Sequence, residues 1–228
     1  MTTADDINFF FEDPTVDEKI HEAKKNGRRS VLYALRREIQ DCLLDDNENK
    51  PIIESDVLLR TSKHRLFATS MMVFSAFDLM AKFYAGEDDI NKVGARFIDF
   101  LKTHGKLTES SAREIWIYRN SLMHSFTLYD TKTNNSLTLI IKCRRKPSSR
   151  KVVSISWGSM VLCIEHLYLL FLRVLKSYQD ALSANKKTEQ GDFARMFPKY
   201  GYWRYAMRAA RGRSPSYLGP GAWPPPTI

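Results

Sequence analysis

The sequence feature that most constrains the fold is the apolar stretch over residues 161–175, whose apolar side chains cover much of a helical circumference. Glu165, His166 and Arg173 interrupt the stretch, and it is shorter than the roughly 20 uncharged residues that cross a bilayer. We therefore predict a buried helix over about residues 158–184, at the centre of a helical protein, and no membrane span.

Apolar residues also recur at helical spacing in four earlier segments. Gly86 and Gly105 stand where the second and third of these helices should end, and a capping box at Thr15–Glu18 should begin the first. The fold class predicted is all-α, an up-and-down bundle of four to five helices. The four earlier helices are predicted at about 15–45, 55–85, 90–104 and 109–125.

The period changes between the last two helices. Residues 136–142 and 151–157 are rich in β-branched side chains and flank a turn-like Lys-Pro-Ser-Ser sequence, which predicts a small basic β-hairpin over about 136–157. The predicted domain spans 1–185, with its core at about 55–180, and residues 186–228 form a basic, aromatic and Pro-rich tail. The aromatic residues of the tail either stack on single-stranded bases or pack on the bundle as a strap.

Charge is distributed unevenly along the chain. Residues 131–228 hold 17 Lys and Arg against four Asp and Glu, as expected either for a surface that faces a polyanion such as nucleic acid or for a solvated basic surface. The three cysteines are odd in number and form no CxxC motif, so neither a disulfide framework nor a structural zinc site is indicated. Together with a start that lacks signal-peptide features, this predicts a cytoplasmic protein.

The segment most informative about function is Glu114–Phe126, Glu-Ile-Trp-Ile-Tyr-Arg-Asn-Ser-Leu-Met-His-Ser-Phe. Arg119 is followed directly by Asn120, and after four residues by His124, with an apolar pair just before the histidine. This pattern resembles the HEPN family. Phe77–Gly86 and Arg96–Leu101 also resemble the approach to that motif in bacterial members, so the resemblance covers about residues 60–175.

The resemblance implies an all-α bundle of four or five helices, often dimeric, with the Arg and His of both subunits lining one cleft. Many members are metal-independent endoribonucleases of toxin-antitoxin, phage-defence or RNA-processing systems, whereas others only bind. The homodimer, RNA and a cognate antitoxin protein are therefore the expected partners, with no membrane, no cofactor and no metal. Arg119, His124 and Asn120 are the predicted catalytic residues, and the predicted RNA-binding residues are Lys142, Arg144, Arg145, Lys146, Arg150 and Lys151.

Helical geometry gives an independent prediction for this segment. Ile115, Tyr118 and Leu122 share one side, which should face the core, and Asn120 can orient the imidazole of His124 from one turn away. Arg119 lies about 140° from His124 on an ideal helix. One helix therefore presents the pair poorly, unless it is distorted or ends near His124, and two helices meeting at a dimer axis would solve the problem.

The chemistry expected of this segment is attack of the RNA 2′-hydroxyl on the adjacent phosphorus. His124 would act as general base or acid, and Arg119 would hold the charge of the phosphorane. Asp78 is a supporting candidate that either pairs with Arg119 or His124 across the bundle or is simply solvated. Glu165 and His166 diverge by 100°, which disfavours metal ligation from one helix face.

Two alternative functions are compatible with the same predicted helical bundle and do not involve RNA cleavage. One is a catalytically inactive RNA-binding or protein-interaction module, in which Arg119 and His124 bind or brace the dimer. Another is an antitoxin or immunity component that forms a stable complex with a partner. Arg119 could also be an ordinary surface residue paired with Glu114.

Overall fold

The computed structural model of this 228-residue chain describes residues 4–43, 63–125, 129–130, 135–140, 151–156, 159–184 and 187–204. Most of them are helical, which confirms the predicted class in its coarse form. The helices are α1 (Ala4–Phe10), α2 (Glu18–Ala23), α3 (Val31–Leu43), α4 (Lys63–Ala85), α5 (Val93–Gly105), α6 (Glu109–Ser125), α7 (Ile164–Ser183) and α8 (Lys187–Tyr200). The strands are β1 (Arg28–Ser30), β2 (Tyr129–Asp130), β3 (Asn135–Ile140), β4 (Val153–Ser156), β5 (Ser159–Cys163) and β6 (Tyr202–Arg204).

The central helix is α4, which packs against α3, α5, α6, α7 and α8. Three of its aromatic residues, Phe74, Phe77 and Phe83, are fully buried. The prediction that the helix near the C-terminus is the central one is therefore wrong: α7 buries one face and exposes Leu169 and Leu172 on the other. In the parts of the chain that are described, no helix is both long and apolar enough to cross a membrane.

The helix predicted at 109–125 is confirmed as α6 with the same bounds. The predicted third helix starts with a short 3-10 turn, Ile90–Lys92, and continues as α5. The second ends at Gly86 as expected, because this residue has a φ of 62°, a conformation that glycine adopts without strain. Its predicted first turns, residues 55–62, lie outside the described residues.

The single helix predicted over 15–45 is wrong. The backbone reverses at Asn26 and Gly27, which both have a positive φ, and this splits the segment into α2, β1 and α3. The cap of α2 is Asp17 rather than Thr15, since its carboxylate accepts hydrogen bonds from the backbone amides of Lys19 and Ile20.

The predicted hairpin of 136–142 with 151–157 is also wrong in its pairing. β4 forms an antiparallel pair with β5, and β3 lies parallel to β5 on its other side, so the sheet order is β2-β3-β5-β4. The strand β5 takes up the first residues of the predicted helix 158–184, and α7 begins only at Ile164. Residues 141–150 of the predicted hairpin lie outside the described part of the chain.

Part of the predicted tail belongs to the folded core. Residues 187–204 form α8 and β6, and β6 pairs antiparallel with β1. The side chains of Phe193, Met196 and Phe197 are buried. The ring of Phe10 in α1 packs against both Phe193 and Phe83 of α4, at ring separations of 5.3 and 4.8 Å. Of the two alternatives for the tail, stacking on bases or packing on the bundle, residues 187–204 therefore show packing. An aromatic cluster joins both ends of the described chain to α4.

Helix α6 is joined to the four-stranded sheet by the buried side chain of Tyr118. Its hydroxyl lies 3.1 Å from the carbonyl oxygen of Thr138 in β3 and 2.5 Å from that of Met160 in β5. Burial raises the pKa of the phenol well above its ordinary value, so the hydroxyl keeps its proton and acts as a donor. One side chain thus holds the helix against the parallel pair β3 and β5.

We expect Tyr118→Phe to lower the free energy of unfolding by about 1–2 kcal/mol, because the carbonyl oxygens of Thr138 and Met160 lose the one hydroxyl proton that they share inside the protein. Tyr178→Phe is the matched control, since the Tyr178 hydroxyl is buried without a hydrogen-bond partner among the described residues. Urea denaturation followed by circular dichroism measures both. Equal losses in the two variants would show that the Tyr118 hydrogen bonds do not hold the sheet.

Candidate active site at the end of helix α6

Helix α6 buries the face that its sequence predicts. Ile115, Tyr118 and Leu122 are at most 1% exposed, while Asn120 on the other side is half-buried. His124 stands in the last turn of the helix and is exposed to solvent. The motif therefore extends from the core to the surface within two turns.

Arg119 is paired with Asp78 of α4. Of the two alternatives for Asp78, pairing across the bundle or simple solvation, the structure shows the pairing. The Asp78 Oδ2 atom accepts hydrogen bonds from Arg119 Nε at 2.9 Å and from Arg119 Nη2 at 2.6 Å. The two side chains are only 19% and 12% exposed. This pairing with Asp78, and not the alternative pairing with Glu114, fixes the guanidinium.

The remaining terminal nitrogen of the guanidinium faces the other two motif residues. Arg119 Nη1 donates to Asn120 Oδ1 at 3.1 Å and lies 3.0 Å from His124 Nε2. A guanidinium can only donate, so Nε2 is the acceptor and the neutral imidazole carries its proton on Nδ1. Among the described contacts, Asn120 therefore orients Arg119, whereas the sequence predicted that it would orient the imidazole.

A single chain brings Arg119 and His124 into contact, although their positions on an ideal helix are about 140° apart. Helix α6 ends at Ser125, one residue after His124, so the condition of a nearby helix end is met. The length of the arginine side chain covers the rest of the gap. The contact itself does not require a second subunit.

Trp116 supports the guanidinium from one turn earlier in α6, a contact that was not among the predictions from the sequence. The Arg119 Cζ atom lies 4.9 Å from the centre of the indole ring, within the range of a cation–π interaction. The ring is held in turn by Phe97 of α5, at 5.2 Å between ring centres, and by the close approach of Gly94. The spacing of three residues between Trp116 and Arg119 is the sequence signal for this pair.

The Asp78 carboxyl lies in an environment with opposing effects on its ionisation. Burial raises its pKa above the ordinary value, and the positive charges of Arg119, Arg96 and Lys82 offset only part of that increase. Its Oδ1 atom is buried and has no hydrogen-bond partner in the described structure, because both arginine nitrogens donate to Oδ2. The hydrogen bonds that the carboxylate accepts in the described structure thus both come from Arg119.

Of the predicted RNA-binding residues, Lys151 alone lies in the described part of the chain. Lys151 is exposed just before β4. Lys142, Arg144, Arg145, Lys146 and Arg150 lie outside the described residues. The described site therefore consists of Asp78, Arg119, Asn120 and His124, with Trp116 beneath the guanidinium.

We expect Asp78→Asn to lower the free energy of unfolding by about 1–3 kcal/mol, because it leaves the largely buried Arg119 without its counter-charge. A double-mutant cycle with Arg119→Gln, followed by urea denaturation, should give a clear coupling energy. The cycle on the exposed pair Glu109 and Arg113 of the same helix is the control and should give a much smaller one. Similar coupling in the two cycles would contradict a special role for the Asp78 pair.

Comparison with known proteins adds no family to these observations. No protein-family model matches the chain, and neither the curated proteins nor the solved structures contain a match. The resemblance of residues 114–126 to the HEPN motif therefore rests on the sequence alone.

Proposed function

We propose that this protein is a metal-independent endoribonuclease with a HEPN-type up-and-down bundle. The observation that carries the proposal is the contact between Arg119 Nη1 and His124 Nε2, 3.0 Å apart at the exposed end of α6. This contact places a fixed cation, Arg119, next to a solvent-accessible base, His124, and the proposed reaction needs both. In this proposal the protein acts in the cytoplasm, in a toxin-antitoxin or phage-defence setting with a cognate antitoxin protein.

The proposed reaction begins when an RNA 2′-hydroxyl displaces Arg119 from His124 Nε2. The imidazole accepts the hydroxyl proton, the 2′-oxygen bonds to phosphorus, and the bond from phosphorus to the 5′-oxygen breaks with protonation of that oxygen. The products are a 2′,3′-cyclic phosphate and a 5′-hydroxyl. Because the nucleophile is the 2′-hydroxyl, DNA is not cleaved.

Arg119 stabilises the negative charge that develops on the phosphorane oxygens. The guanidinium is already positioned by Asp78, Asn120 and Trp116, so it pays little reorganisation cost when the charge appears. Nη1 is the nitrogen nearest His124, and it is therefore the one that would turn to the substrate.

A homodimer completes the proposed mechanism. The described network of one chain holds a single exposed imidazole, while the reaction needs both a proton acceptor and a proton donor. His124 of a second copy would supply the donor if the two ends of α6 face each other. The basic residues that the sequence places between β3 and β4 would bind the phosphates of the RNA backbone. They are Lys142, Arg144, Arg145, Lys146, Arg150 and Lys151.

The second candidate function is a non-catalytic module that binds RNA or a protein through the same bundle. One observation favours it: Nε, Nη1 and Nη2 of Arg119 all have acceptors within the chain, so the residue can serve to brace α4 against α6. In that case His124 would be a surface histidine held by a neighbouring arginine.

The test is cleavage of structured and single-stranded RNA by the purified protein in EDTA. We expect His124→Ala to reduce the cleavage rate by about a hundredfold or more, because the general base is lost. Arg113→Ala, on the exposed side of the same helix, should cleave like the wild type. End-group analysis of the fragments should find 2′,3′-cyclic phosphates.

Light scattering gives the mass of the particle and tests the homodimer separately. Absence of cleavage by a folded, dimeric wild-type protein that still binds RNA in a gel-shift assay would favour the non-catalytic module. Equal cleavage by wild type and His124→Ala would exclude His124 from the reaction.

A further inference from the structure

Three side chains capable of binding a metal come together where β5 passes into α7. The sulfur of Cys163, a carboxylate oxygen of Glu165 and a ring nitrogen of His166 all lie within 4.8 Å of one another. The 100° between Glu165 and His166 on a helix does not keep their ligand atoms apart. Cys163 precedes the helix with an extended backbone and completes the group from the strand side. No residue of the proposed ribonuclease site belongs to this cluster.

Two residues of this cluster are held in place by the segment that leads into β4. The backbone amide of Cys163 donates to the carbonyl oxygen of Val152 at 3.0 Å. His166 Nδ1 donates to the carbonyl oxygen of Lys151 at 2.8 Å. The second bond places the ring proton on Nδ1 and leaves the lone pair on Nε2, an arrangement that is usual for metal-binding histidines.

The burial of the cluster also suits a metal ion. Cys163 is 1% exposed and His166 is 9% exposed, while Glu165 is half-buried and gives the cluster a side open to solvent. In a tetrahedral zinc site, ligand atoms lie about 3.4–3.6 Å apart. Side-chain rotations that move the three ligand atoms by about 1 Å would therefore bring them to the distances that bind a zinc ion. A thiolate and an imidazole together select zinc-like metals over magnesium or calcium.

We propose that Cys163, Glu165 and His166 bind one Zn²⁺ ion, with the fourth coordination position open to solvent. The ion would join the end of β5 to the first turn of α7, and through Lys151 and Val152 to the start of β4. It takes no part in RNA cleavage as proposed above, which proceeds in EDTA. Its effect is on the stability of the junction between sheet and helix.

The first experiment uses Co²⁺ as a spectroscopic probe on untagged protein freed of metal by a chelator. We expect one Co²⁺ per chain and a near-ultraviolet charge-transfer band from the cobalt–thiolate bond, which Zn²⁺ abolishes by displacement. Cys163→Ser should lose the band. Cys42→Ser, which removes the half-buried cysteine of α3, should keep it.

Glu165→Gln is the second variant, because it replaces a half-buried ligand without creating a cavity and decides the matter if Cys163→Ser fails to fold. We expect it to weaken Co²⁺ binding about tenfold or more. Zn²⁺ should raise the thermal unfolding temperature of the wild type and raise that of Glu165→Gln much less. Absence of the band in the wild type, its survival in a folded Cys163→Ser, or equal Co²⁺ affinity in Glu165→Gln would overturn the proposal.

Discussion

The candidate site depends on one buried hydroxyl group, that of Tyr118. This side chain connects α6 to the carbonyls of Thr138 and Met160, so it ties the position of the helix to the parallel pair β3 and β5. Arg119 and His124 follow Tyr118 on the same rigid helix. A shift of α6 against the sheet would move both of them relative to Asp78 on α4, and for that reason the geometry of the site is a property of the whole core.

The elements that the sequence predicts well are those with a complete local signal. Helix α6 has a regular apolar face at Ile115, Tyr118 and Leu122, and its bounds agree with the prediction. The end of α4 is predicted because a glycine at position 86 permits the left-handed backbone that stops the helix. The pairing of Asp78 with Arg119 is among the alternatives that the sequence leaves open, since both residues lie on apolar helices that must pack together.

What the sequence does not predict depends on contacts between distant segments. Strand β5 lies inside an apolar run, and such a run does not distinguish a buried strand from a buried helix by periodicity. Helix α8 has apolar residues at 193, 196 and 197, but Gly191 and Pro198 weaken the local helical signal. Its packing partner Phe10 is more than 180 residues away. The contact of Arg119 with His124 depends on the length of the arginine side chain. Angles around an ideal helix give the direction of each side chain but not how far it extends.

The burial of the Asp78 and Arg119 charges is better explained by positioning than by stability. Taking two charges out of water costs about as much as their attraction returns, and an apolar pair of similar size would stabilise α4 against α6 at least as well. An apolar pair would leave no fixed cation beside His124, whose ring reaches solvent at the end of α6. The pair together with Trp116 holds a positive charge in one place at the edge of the core. The catalytic proposal requires such a charge, because a guanidinium held by Asp78 and Trp116 needs only a small movement of Nη1 to reach a phosphate.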